Sequence, residues 1–160
     1  MAKFLLNCLL LFIPIFIWNA VFYKKLPEFY QPAIWDNIAK PLVIAENILR
    51  YLSFSIPILF KINFDTCIQI IGLFLYFVGL LVYFTSWIFQ INHKANTLSK
   101  NILFRMAPAY TTIIWLVGIG LIGKYSFISF LNIQVIYFPI IIAFVIVHTC
   151  HAFTIYKKTK

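Results

Sequence analysis

The chain has 160 residues, of which 63% are hydrophobic and only 11% charged, whereas roughly a quarter of the residues of a soluble domain are charged. Its mean hydropathy is +0.95, and a chain this short has too little interior to hide so much apolar surface from water, so lipid is the expected solvent. The net charge of +9 does not point to nucleic acid, because the basic residues border apolar runs, at the level of anionic lipid head groups.

An all-α, polytopic membrane protein follows: residues 1–160 form one integral domain, a compact bundle of five transmembrane helices over about 4–23, 42–60, 67–91, 102–123 and 127–154. The first segment follows Lys3 as a signal peptide would. Trp18, Asn19 and Ala20 are followed by bulky Val21, Phe22 and Tyr23 rather than by a small-x-small cleavage site, so it reads as a retained helix. In the first loop, Pro32 can open a short interfacial helix with Ile34, Trp35 and Ile38 on one face and the i,i+4 pair Asp36/Lys40 on another.

The second segment carries Glu46, Asn47 and Arg50 at membrane depth, where ionisable groups are costly and usually partnered or functional. Glu46, Arg50, Ser53 and Pro57 fall within roughly a 60° arc, a stripe that would face other helices. The third segment aligns Gln69, Tyr76, Tyr83, Trp87 and Gln90 beside a small-residue seam of Gly72, Gly79 and Ser86; the seam is a packing contact and the stripe would line the space between helices. The fourth is read as beginning around Arg105, with Pro108 in or near its first turn and Tyr110 following. Its end, Gly118-x-Gly120-x-x-Gly123, has the letters of a dinucleotide fingerprint without the strand, helix and acidic residue it needs, so helix packing is expected. The fifth aligns Gln134, Tyr137, Phe144, His148 and His151 on one face.

Orientation follows from the basic residues. Lys3, Lys61 and Lys124 fall on one side; Lys24, Lys25, Lys40, Lys94, Lys100, Lys157, Lys158 and Lys160, with Arg105 at the edge, fall on the other. The second set marks the cytoplasm, so the N-terminus is outside and the C-terminus inside, with a bacterial inner (plasma) membrane expected. Glu46, Asn47, Arg50, Trp87, Gln90, His93, Arg105, Tyr110, His148 and His151 then share the cytoplasmic leaflet.

That concentration suggests a polar pocket for an amphiphilic, lipid-like or small acidic molecule. Arg50, Asn47 and Arg105 would hold its acidic head, with Tyr110, Tyr83, Trp87 and Gln90 around it. Proton transfer, if the protein is an enzyme, would fall to Glu46, His148 or His151. No metal is expected: His148 and His151 are spaced i,i+3, but a zinc site needs at least three protein ligands, and Glu46 or His93 would have to complete it. The residues leave any cofactor open. Two other classes stay in view: an accessory subunit, whose Glu46/Arg50 pair only fixes helix packing, and a small oligomeric transporter. Membrane lipids are expected neighbours, with a partner subunit or a homo-oligomer in the alternative readings and no nucleic acid.

Glu46-Asn47-x-x-Arg50 together with Phe144-x-x-x-His148 resembles the E-E-x-x-x-R and F-x-x-x-H helices of the membrane-embedded CAAX-type proteases. The likeness covers those few residues, lacks the second acidic residue and is one short in the Glu–Arg spacing, so no roles carry over. In length and helix number the chain also resembles, in outline, the tryptophan-rich sensory/translocator proteins.

Overall fold

In lipid every backbone N–H and C=O has to be satisfied within the protein, which favours continuous helices and calls for special measures wherever a helix is interrupted. A computed structural model describes residues 6–25, 38–92, 101–123 and 132–158 and meets this demand with helices throughout. We label them α1 (Cys8–Phe22, opening as a 3-10 turn over Cys8–Phe12), α2 (Lys40–Ser55, extended by a 3-10 turn at Ile56–Leu59), α3 (Cys67–Asn92), α4 (Ile102–Tyr110), α5 (Thr112–Ile122) and α6 (Ile133–Lys158). Among the described residues four stretches are long and apolar enough to cross a membrane: Lys40–Leu59, Cys67–Asn92, Ile102–Ile122 and Ile133–Lys157.

The first expected span is shorter than the sequence suggests. The Asn7 side chain accepts from the backbone N–H of Leu9 at 3.0 Å, so the helix starts only after it. Before that point the chain pairs with the end of α2 instead: Cys8 N–H donates to Phe60 O at 3.0 Å and Ile62 N–H to Leu6 O at 3.3 Å. The apolar part, 5 residues in 3-10 and 10 in α conformation, reaches about 25 Å, against a hydrocarbon core of ~30 Å, and is followed by a 3-10 turn at Tyr23–Lys25 that carries two lysines. Most of the expected interfacial helix, including Pro32, Ile34, Trp35 and Asp36, lies outside the described residues, as does His93.

The fourth span has the expected bounds, Ile102–Ile122, but it is interrupted. It begins at Ile102, where Asn101 caps Leu103 N–H at 3.0 Å, so Pro108 is interior rather than near the first turn. Proline has no N–H to give the carbonyl four residues back, here Phe104, and the helix breaks into α4 and α5 at Thr111. Thr111 and Thr112 turn their hydroxyls onto the carbonyls of Ala107 (2.6 Å) and Pro108 (2.9 Å) around that break.

The core is organised by α3 and α5, the most extensively packed pair. The glycine seam makes this approach possible. A Cβ on Gly72 would lie 2.7 Å from Leu121 Cβ, one on Gly79 would meet the Trp115 backbone, and one on Gly118 would lie 2.6 Å from Tyr76 N. The letters G-x-G-x-x-G thus serve packing in three directions: Gly118 faces α3, Gly120 the rings of Tyr137 and Phe138, and Gly123 the ring of Phe60. Trp115 sits at the centre, edge-on to Phe12 with ring centroids 5.5 Å apart and against Phe54 and Tyr83. Through these rings and Trp18–Phe84, at 4.3 Å, α1 packs along α3 and closes the bundle.

Candidate functional site

Three glutamines expected on polar faces turn out to complete the backbone. Gln90 Nε2 donates to Phe104 O, the carbonyl left without a partner by Pro108. Gln69, fully buried, donates to Ile122 O at 3.3 Å, and Gln134 to Gly120 O at 2.6 Å; both are carbonyls of the last turn of α5, where intrahelical donors run out. Two tyrosines behave alike, and a third bonds a side chain. Tyr76 donates to Leu11 O at 2.7 Å, Tyr137 to Leu116 O at 3.4 Å, and Tyr83 to Asn19 Oδ1 at 3.2 Å.

A different cluster forms where α2 meets α6 near the ends that carry Lys40 and Lys157. Glu46 projects from the second turn of α2 because Pro41, at the helix start, fixes where the turns fall. Four residues on, Arg50 Nη2 donates to Glu46 Oε1. From α6, His148 Nδ1 lies 3.0 Å from the same oxygen and His151 Nδ1 contacts Oε2. A carboxylate only accepts, so each Nδ1 facing it carries a hydrogen. Both oxygens of Glu46 are therefore engaged, one of them twice.

Burial divides this quartet. The side chains of Glu46 and His151 are 2% and 4% exposed, while those of Arg50 and His148 are 31% and 30% exposed. The two half-exposed groups share Oε1, so the cluster has a closed side at His151 and an open side at Arg50 and His148. Phe144, one turn before His148, stacks on its ring with centroids 5.4 Å apart and planes 11° apart. The ring is thus held by a hydrogen bond at its edge and an aromatic face beneath it. Ser53, one turn beyond Arg50 on the same stripe, is buried, and its Oγ has no hydrogen-bond partner among the described residues.

The remaining expected site residues go elsewhere. Asn47 is exposed on α2, beside the cluster in sequence but on another face. The Arg105 guanidinium lies over the Tyr156 ring at 5.2 Å, tying α4 to the end of α6. Tyr110 donates to Leu103 O at 3.2 Å and lines an open apolar cleft of about 370 Å³ between α3 and α4, with Leu81, Ser86, Phe89 and Phe104. Trp87 packs on Tyr83, with ring centroids 5.9 Å apart. So Glu46, Arg50, His148 and His151 come together, whereas Gln90, Tyr83, Trp87, Tyr110 and Arg105 have their contacts in other parts of the bundle. Sequence spacing did not single out Phe144 as the support of His148; its i,i+4 position was the available signal.

Chemically, the quartet offers a fixed carboxylate, a guanidinium with donors to spare and an imidazole of set orientation. Among the described residues no group of three or more His, Cys, Asp or Glu is arranged to hold a metal ion. Cys8, Cys67 and Cys150 are free thiols. No protein family, curated protein or solved structure matches the chain.

Proposed function

We propose that this is a multi-pass membrane protein whose Arg50 binds the anionic head of an amphiphile, lipid-like or a small acid, from the cytoplasmic leaflet. In this reading α1 is a fifth membrane segment, the N-terminus lies outside and the C-terminus in the cytoplasm of a bacterial inner membrane, as the lysine distribution favours. A membrane-impermeant maleimide should then label Cys67, exposed at the start of α3, from outside intact cells; labelling only after lysis would reverse the orientation.

The observation that carries the binding reading is the asymmetry of the cluster. Glu46 is buried with both oxygens engaged, yet the guanidinium it holds is 31% exposed with only one terminal nitrogen committed to the carboxylate. A guanidinium has five N–H donors in a planar fork suited to phosphate or carboxylate. Fixing that fork in advance lowers the entropy lost when an anion docks. Whether the bound molecule is also transformed turns on the imidazoles, which have the chemistry for proton transfer.

The test is mass spectrometry of gently purified protein. Wild type should retain a specific acidic amphiphile that Arg50→Ala, folded and monodisperse, does not. An accessory-subunit reading is favoured by one fact, that Glu46 has all its partners inside the bundle. It predicts no specific ligand on wild type and a stoichiometric protein partner on native extraction.

A further inference from the structure

We infer that His148 is a second ligand contact, selecting head groups that present an O–H or N–H donor beside their anionic group. The inference rests on Arg50 being the anion anchor and adds the class of head group that fits. Arg50 and His148 meet at one atom, Glu46 Oε1, and both are about a third exposed. An anion on Arg50 therefore arrives beside the His148 ring.

What that ring offers is set by Glu46. Its Nδ1 carries a hydrogen, because the atom it faces at 3.0 Å only accepts. The single negative charge of Glu46 is already matched by Arg50, and a neutral ring keeps the cluster uncharged in a medium of low dielectric constant. A neutral imidazole with its hydrogen on Nδ1 has a lone pair on Nε2 and accepts there. Phe144 stacks on the ring face, which leaves rotation about the ring normal opposed by the Glu46 bond and tilting opposed by the phenyl ring.

The site thus pairs a donor fork with a neighbouring acceptor. A phosphate diester with a hydroxyl- or ammonium-bearing head satisfies both; the same phosphate with a bare alkyl head leaves the acceptor without a partner. His151 shares the tautomer logic but is 4% exposed and bound to Oε2, so it holds the carboxylate rather than the ligand.

The experiment uses full-length protein in phosphatidylcholine nanodiscs doped with either phosphatidylglycerol or phosphatidylpropanol. The two dopants have equal charge and three-carbon heads, and only the first has hydroxyls. Native mass spectrometry should find phosphatidylglycerol retained about three- to tenfold better, the worth of one net hydrogen bond. His148→Phe should bring the ratio to about one, and Arg50→Ala should release both lipids. A ratio of one in wild type, with both lipids lost in Arg50→Ala, overturns the role of His148 and leaves that of Arg50 standing. Retention of neither lipid by wild type overturns both. Displacement by soluble glycerol phosphate at equal concentration overturns a lipid source for the head group. Should His148→Phe not fold, nitrogen-15 spectra of labelled histidine in wild type decide the matter: an Nδ1–H tautomer at His148 is expected, and an Nε2–H tautomer overturns the inference.

Discussion

Replacing Glu46 by alanine should destabilise the bundle more than replacing Arg50, although the two form one ion pair. Glu46→Ala removes an acceptor that three donors share: Arg50 Nη2, His148 Nδ1 and His151 Nδ1. His151 is 4% exposed, and a buried donor stripped of its partner costs about 1–3 kcal/mol. Arg50 is left as an uncompensated charge, though its partial exposure lets it turn toward the interface. Breaking a buried pair from one side costs about 3–5 kcal/mol, and Glu46→Ala belongs in that range. Arg50→Ala leaves Glu46 with both imidazole donors, so about 1–2 kcal/mol is expected. The assay is equilibrium unfolding of purified protein in mixed micelles with increasing dodecyl sulfate, followed by pulse proteolysis. An Arg50→Ala cost equal to or above that of Glu46→Ala would refute the placing of Glu46 at the hub.

Three further outcomes follow from the packing. Gly79→Ala places a methyl against the Trp115 backbone, which cannot swing aside, whereas Gly120→Ala meets only ring atoms of Tyr137 and Phe138 at 3.0 Å; thermal scanning should show about 1–3 kcal/mol lost in the first and clearly less in the second. Gln90→Leu strips the Phe104 carbonyl of its donor and should cost about 1–3 kcal/mol, but far less in a Pro108→Ala background, where the restored backbone N–H serves that carbonyl; an unchanged cost in the double-mutant cycle contradicts the assignment. Ser53→Ala removes a buried hydroxyl without a partner among the described residues and should be neutral or stabilising by up to about 1 kcal/mol, with a loss of stability showing that the hydroxyl is engaged.

How much of this was readable from the residues depends on whether a partner lies along one helix or across two. The seven-residue rhythm of Gln69, Tyr76, Tyr83 and Gln90 marks a buried face, and all four are buried. Gly72 and Gly79 announce close packing and deliver it against Leu121 and Trp115. The Glu46/Arg50 pair is legible from i,i+4 spacing, and the shared face of His148 and His151 from helical periodicity. The partners of the glutamines are not legible, because a polar stripe reads the same whether it meets a ligand or a carbonyl of the next helix. Gln90 could be told from a ligand contact only by knowing that Pro108 lies opposite it. The short start of α1 escaped for a similar reason: it depends on Leu6 and Cys8 meeting Ile62 and Phe60, a contact that hydropathy does not encode.

The glutamines and the quartet obey one rule with different outcomes. In a bundle solvated by lipid, a polar side chain has to find a partner inside. Gln69, Gln90 and Gln134 each have such a partner in a carbonyl left over by a helix end or a proline, so nothing about them calls for a ligand. Glu46 has partners for both oxygens as well, and it and His151 are sealed from the surroundings. Arg50 differs, because a guanidinium has five donors and the carboxylate beneath it already takes two imidazoles in addition. Packing alone would be served by fewer groups: a Glu/Arg pair fixes register without two histidines, and buried ionic groups are seldom the most stable way to fill space. What the two histidines add is a carboxylate that cannot turn away and an exposed imidazole edge beside the guanidinium. That surplus of donor and acceptor capacity, gathered at the open side of the quartet, is the physical reason to look for a ligand there.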